Sequence, residues 1–321
     1  PEGGAYIGTQ QATRTMFDHG LQDRASKRSL GADRQDSGLW MRAQGRHDKG
    51  MRMAEGKVDI DSSSDVVQMG GALLRRPVGA QGALYAGLMA GYGDARIDST
   101  STLMRRDTNT AVRAKAHGKV SGYSAGVYGT FYADDVNRLG AYVDTWLQYG
   151  RYTNRLSSEL GSADYDSNLW SASLESGYAL APFAADSPFR AWVVEPRGQL
   201  IYSRYTARAA DLQDTRLRNG TADAWRSSIG VRLYQQPGQA ADESVLRPFV
   251  ETNWLHSEAV PSVRMGSNSF DARPSRDALE LKVGAQLRVA RDVELSSHLF
   301  GHSGSASEYG YGGQLSLSYS W

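Results

Sequence analysis

Few stretches of this sequence carry residue types that could do chemistry. Gly301-His302-Ser303-Gly304-Ser305 sets a serine beside a histidine among glycines and resembles a nucleophile elbow. That motif needs a final glycine and a strand-to-helix turn that exposes the hydroxyl. Ser305 stands at the last position and another strand pattern follows, so a Ser/Gly loop is the simpler reading. His298 and His302 are four residues apart, but strand geometry does not bring such a pair together as a helix would for zinc. Gly91-Tyr92-Gly93 ends a strand pattern and is not a phosphate loop. Glu195, Glu251 and Glu280 could serve as acids or bases. Solvated lumen charges pairing with Arg197, Arg226, Arg232 and Lys282 are the favoured reading. No catalytic residue, metal site or cofactor is assigned.

The elements that carry these residues are strands, and the last is the most explicit. In Gly313–Trp321, Leu315, Leu317, Tyr319 and Trp321 alternate with Gln314, Ser316, Ser318 and Ser320. Alternate side chains of a strand point to opposite faces. One face is thus large and apolar, the other small and polar. A membrane barrel fits this: lipid outside, a wet lumen inside, an aromatic where the strand leaves the hydrocarbon.

The alternation recurs from Gly38 onward and gives twelve candidate strands. Leu39, Met41 and Ala43 oppose Trp40, Arg42 and Gln44 in the first. The tenth sets Leu279, Leu281, Val283, Leu287 and Val289 against Glu280, Lys282, Gln286 and Arg288. A dry core could not hold that second set unpaired, so its face must be wet or richly paired. By the same parity Asp144, Glu175, Glu195, Arg197, Arg226, Arg232, Glu251, Glu280, Lys282 and Arg288 are expected to line the pore. Connections after even-numbered strands read as short or Pro-punctuated. Those after odd-numbered strands read as longer polar loops, the longest from about Asp94 to Val120. Such alternation is expected of loops on opposite sides of an outer membrane, with the C-terminus periplasmic.

Bulk properties agree. The chain has 321 residues, no cysteine, a net charge of +1 and a mean hydropathy of −0.50. Disulfides are excluded, and a generic nucleic-acid footprint has no support. No apolar run is long enough for a spanning helix, which says nothing against a barrel. The opening at Pro1, without initiator Met or signal, looks like the C-terminal piece of something longer.

Residues 1–37 read differently. Residues 5–24 suit a polar helix, with Arg14 and Asp18 at i,i+4 and Gly20 near its end. Arg14, Asp18, Asp23 and Arg24 are expected to meet lumen charges of either sign. Residues 22–37 read as a connection.

A polar N-terminal helix, about twelve strands and an aromatic terminus together resemble the translocator domain of the autotransporters. Pro1-Glu2-Gly3-Gly4-Ala5-Tyr6-Ile7-Gly8, Met16-Phe17, Leu21-Gln22-Asp23-Arg24, Leu39-Trp40-Met41-Arg42, Gly45-Arg46-His47 and the closing strand are similar to the pertactin and AIDA-type branch. The resemblance implies an all-β, twelve-stranded antiparallel transmembrane barrel (38–321) and a pore helix with linker (1–37). It further implies a monomer in the outer membrane of a Gram-negative bacterium, with a passenger, often an adhesin or virulence factor, joined before Pro1. Leu315, Leu317, Tyr319 and Trp321 would be read by the barrel-assembly machinery. Some members cut themselves at an Asn-Asn bond in the helix. Residues 1–37 contain none, so that mechanism is not carried over. The alternative is a self-contained porin or lumenal enzyme, and a soluble β protein is a third reading.

Overall fold

The computed structural model describes residues 1–24, 38–213, 215–218, 220–236, 246–272, 274–290 and 292–320. Two helices, α1 (Glu2–Thr15) and α2 (Leu21–Arg24), precede the strands. These are β1 (Gly38–Met53), β2 (Val58–Val78), β3 (Gly82–Arg105), β4 (Thr110–Tyr132), β5 (Gly140–Ser158), β6 (Gly161–Ala179), β7 (Trp192–Ala207), β8 (Ala210–Leu212), β9 (Thr215–Arg218), β10 (Gly220–Gln235), β11 (Arg247–Ser257), β12 (Ser262–Met265), β13 (Asn268–Asp271), β14 (Asp277–Ala290), β15 (Val293–Gly304) and β16 (Tyr309–Ser320).

Twelve of these strands close a barrel in the order β1-β16-β15-β14-β11-β10-β7-β6-β5-β4-β3-β2. Closure is antiparallel, from Gly38 opposite Ser320 to Lys49 opposite Tyr309. It leaves the barrel no free sheet edge. The side-chain period of two does the sorting. Leu281 is 52% exposed and Leu279, Val283, Leu315, Leu317 and Tyr319 are likewise exposed, whereas Asp144, Glu175 and Gln148 are buried. The exposed apolar groups form a band with aromatic flanks. At the end away from Gly38, the distal end, Tyr92 packs on Tyr123, Tyr149 on Trp170 and Tyr202 on Trp225, with centroids 4.7–4.9 Å apart. Tyr178, Phe183 and Tyr319 are exposed at the proximal end. No described helix is long and apolar enough to cross a membrane; the strands form the band.

The connections depart from expectation. Residues 94–120 are not a loop: they continue β3 and β4 beyond the aromatic belt and turn only at 106–109. Polar sequence was mistaken for irregular backbone, since past the belt both strand faces can carry polar groups. The proximal connections after β6 and β10, at 180–191 and 236–246, exceed the distal hairpins after β1, β3 and β5, the second lying mostly outside the described residues, whereas the distal connections after β7 and β11 are long as expected. Two distal connections fold into a sheet of their own, ordered β13-β12-β9-β8. Its inner residues Ala210, Leu212, Leu217 and Val263 are buried in one cluster with Tyr6 and Ile7 of α1. The sheet is therefore a lid over the distal lumen. The expected linker at 25–37 and the terminal Trp321 lie outside the described residues.

Candidate functional site

The lumen is the site, and a segment of the same chain occupies it. Helix α1 is 14 residues long, about 21 Å at 1.5 Å per residue. Its small residues decide where it lies. A Cβ on Gly8 would collide with Ile97 and crowd Ile60, and one on Gly4 would collide with Ser99. Glycine at these positions lets the helix backbone press against β2 and β3. Tyr6 and Ile7 are fully buried, and the Tyr6 ring lies 5.1 Å from Tyr165. Thr9 shares a hydrogen bond with the Tyr165 hydroxyl. Gln10 Oε1 accepts from the Ser262 amide of the lid at 3.3 Å.

The helix is shorter than expected. It stops at Thr15, and residues 16–20 run irregularly before α2. A helix end leaves carbonyls without intrahelical partners. Here the barrel wall supplies donors. Arg226 Nη2 donates to the Arg14 carbonyl at 3.0 Å, and Gln148 Nε2 to the Phe17 carbonyl at 3.1 Å. Gln199 Nε2 and Trp146 Nε1 both donate to the His19 carbonyl, at 2.8 and 3.2 Å. The Leu21 amide donates to Glu175 Oε1 at 3.0 Å. Gln148 is itself held by Gln68 at 2.9 Å, and Gln68 by Arg42 at 2.8 Å.

The charged residues singled out from sequence meet as follows. Asp18 pairs with Arg226. Arg24 Nη2 donates to Asp144 Oδ1 at 2.5 Å, with both side chains buried. Asp23 accepts from the Gly20 amide at 2.8 Å and from Gln314 at 3.1 Å. The Arg14 guanidinium lies 5.9 Å from the centre of the Tyr205 ring. On the wall, Arg197 pairs with Glu175 at 3.5 Å. Glu251 lies 3.5 Å from Arg232 and 3.6 Å from Lys282, and Lys282 is 3.9 Å from Glu280. Glu195 accepts from Gln22 and from Tyr234, each at 3.1 Å. Arg288 sits near the proximal rim, donating to the Ala290 carbonyl at 3.3 Å. The expectation of solvated carboxylates needs correcting for Glu195 and Glu251, which are only 2% and 3% exposed. Glu195 is held by Gln22 of the pore segment and by Tyr234, and Glu251 by its wall neighbours Arg232, Asn253 and Lys282.

The plug is off-centre. It packs on β2 to β5 and β7, and a cavity of about 300 Å³ remains beside it, bordered by Arg46, Arg226, Glu251, Glu280, Lys282 and His302. The elbow-like stretch has no elbow geometry. It ends β15, so His302 turns inward to Asp48 at 3.3 Å while Ser303 is exposed outside. His298 and His302 are separated by four strand residues, about 13 Å. Among the described residues no cluster of potential ligands could hold a metal. Arg42, Gln68, Trp146, Gln148 and Gln199 matter more than the sequence reading suggested. A large aromatic such as Trp146 between inward Asp144 and Gln148 was the available signal.

A model of the autotransporter β-domain family matches residues 39–298. Protein YdeU of Escherichia coli K12 is 30% identical over 333 residues, covering 100% of this chain and 70% of that protein. The autotransporter adhesin AIDA-I of Escherichia coli is 24% identical over 100% of this chain, which spans 25% of the adhesin. Among solved structures, the transport unit of AIDA-I from Escherichia coli aligns with a TM-score of 0.80 at 21% identity. That alignment covers 100% of this chain and 99% of the transport unit.

Proposed function

The chain belongs to the autotransporter β-domain family and is an outer-membrane translocator; from that premise we propose how its parts divide the work. Residues 38–321 anchor a passenger polypeptide and conduct it outward, and residues 1–37 are the pore segment and linker joining barrel to passenger. One observation carries this reading: a polypeptide is already threaded through the lumen, with Pro1 toward the distal end. Gly3, two residues on, approaches Met53 of β1 and Met265 of the lid, which places the start of the segment at the distal mouth. The passenger would leave there, with both barrel termini on the periplasmic side. An adhesive or virulence-related passenger is the class to look for. The exposed terminal strand is the segment proposed to engage assembly machinery, and the barrel acts as a monomer without catalysis of its own.

The competing reading, a self-contained porin, has no use for an internal helix. Removing residues 1–30 should leave a folded, heat-modifiable barrel. Its single-channel conductance in planar bilayers should rise several-fold over the complete chain, because a helix 10–12 Å across no longer fills the bore. Equal conductance of the two would refute the plug and favour the porin.

A further inference from the structure

At the distal end the β3–β4 hairpin outgrows its neighbours. Pairing with β2 stops at Ser101 opposite Val58, and pairing with β5 starts only at Ala116 opposite Ser158. Residues 102–105 and 110–115 therefore stand as a two-stranded ribbon with a free edge on either side. Such a ribbon is marginal in water unless something packs on it.

The inner face of the ribbon continues a surface already in use. By strand parity it runs down through Ser101, Ser99 and Ile97 of β3 and Ala114, Ala116 and Gly118 of β4. Helix α1 lies on that surface: a Cβ on Gly4 would collide with Ser99, and one on Gly118 would crowd the Ala5 carbonyl. Ser99 and Ala116 are accordingly 1% and 2% exposed. Two rows further out on the same face Leu103 stands opposite Val112, and these are 56% and 39% exposed. The apolar stripe that receives α1 thus runs on past the start of the helix. Arg105 is next on that face and Arg106 follows in the turn. Among the described residues neither has a carboxylate within ion-pair distance, and Asp107 is the one acid in 102–115.

The path of the pore segment points to what covers the stripe. Helix α1 starts between this wall and the lid, since Gly3 approaches Val263 and Met265 while Gly4 faces Ser99. A residue preceding proline is pushed toward extended conformations, so a chain joined before Pro1 leaves the helix extended. Leu103 is four strand residues past Ser99, about 13 Å. Gly4 to Pro1 spans about 4.5 Å of helix, and about three extended residues cover the rest. We propose that the residues immediately before Pro1 dock on the inner face of the β3–β4 ribbon, with an apolar side chain over Leu103 and Val112 and a carboxylate at Arg105. The contact fixes the base of the passenger beside the pore exit. It rests on the reading that a passenger is joined before Pro1, and adds where that polypeptide first lands.

The chain has no cysteine, so an engineered pair stands alone. The test uses the complete precursor, passenger included, displayed on cells. One cysteine replaces in turn the second, third or fourth residue before Pro1. Its partner is Leu103→Cys, Val112→Cys or, on the outer face, Met104→Cys. Copper–phenanthroline oxidation joins pairs whose Cα atoms come within about 7 Å. The two inner positions should cross-link several-fold more than Met104→Cys. Equal yields on both faces overturn the proposal, because a loose chain meets either. Cross-linking of Leu103→Cys barrels to one another, without the upstream cysteine, makes a second copy the occupant and also overturns it. Leu103→Ser with Val112→Ser, and separately Arg105→Glu, should leave the barrel heat-modifiable and speed external protease cleavage just before Pro1 several-fold. An unchanged rate in either variant overturns the docking. A passenger at the surface without any cross-link overturns this proposal alone, whereas a passenger that never reaches the surface in the unsubstituted precursor overturns the translocator reading with it.

Discussion

Asp144→Ala should unseat the plug while sparing the barrel. Asp144 is on the wall and Arg24 on the pore segment, with 2.5 Å between them and both buried. Asp144 also accepts from the Thr130 hydroxyl at 2.6 Å, and the Arg24 guanidinium lies 4.2 Å from the centre of the Tyr128 ring. The pair is poorly completed: among the described residues Arg24 Nε and Nη1 and Asp144 Oδ2 have no hydrogen-bond partner. Deleting one member of a buried pair strands the other charge, at a cost of about 3–5 kcal/mol. The barrel escapes that cost if the segment carrying Arg24 leaves the lumen for water. The docked-to-released ratio should therefore fall by roughly 10²- to 10⁴-fold. Open probability in planar bilayers and protease cleavage within residues 1–24 would both rise. Because the pair leaves orphaned atoms, Arg24→Met with Asp144→Leu should be neutral or tighter than wild type. A single variant that stays as closed as wild type, or a double variant that leaks as the single does, would refute the reasoning.

Other outcomes follow from the same geometry. Leu281→Arg should cost about 2–4 kcal/mol of barrel stability in reversible lipid unfolding, the midplane penalty for a cation on the lipid face. Lys282→Gln next door should cost less, though not nothing, because Lys282 neighbours Glu251 and Glu280. Gly8→Ala should weaken plug docking by about 1–3 kcal/mol through overpacking against Ile97, read as raised conductance. Glu308, in the turn between β15 and β16, accepts from the Ser275 amide at 2.7 Å, and burial pushes its carboxyl up to about 7, with Asp48 adding a like charge. The folded turn thus prefers the protonated acid, so its stability is fullest below the ordinary carboxylate range and is lost as pH rises through about 7. Hydrogen-exchange protection at 305–308, taken relative to the intrinsic rate at each pH, should fall across that window, and Glu308→Gln should abolish that fall.

The parts legible in the sequence are those governed by the strand period. Leu281 beside Lys282, or Trp170 beside Ser171, reveals its face from alternation alone, and twelve such segments imply closure. The lid was not legible. Val263, Leu217 and Leu212 are single apolar residues in short polar stretches, and their burial depends on Tyr6 and Ile7 from far along the chain. The break after Thr15 was equally hidden. Nothing in Met16-Phe17-Asp18-His19 forbids a helix; the wall donors at Gln148, Gln199 and Trp146 outcompete it for carbonyls. Asp144 and Glu175 share a buried face that alternation groups together, but what packs on them, Arg24 and the Leu21 amide, comes from far along the chain and has no trace in the strand pattern.

Those wall donors also bear on transport. The groups they hold are the carbonyls of Arg14, Phe17 and His19, which every polypeptide possesses, rather than side chains peculiar to this segment. A buried carbonyl left without a donor costs about 1–3 kcal/mol. A passing chain in this dry half of the lumen would face that cost at each residue unless the wall offers donors again. Gln148→Leu with Gln199→Leu should therefore slow surface delivery of a fused passenger by roughly tenfold, since 1.4 kcal/mol is a factor of ten. The factor should be the same for two passengers of unrelated sequence, measured by pulse-chase with external protease. Side-chain recognition would instead give different factors for the two, and an unchanged rate for both would mean that these glutamines only hold the plug.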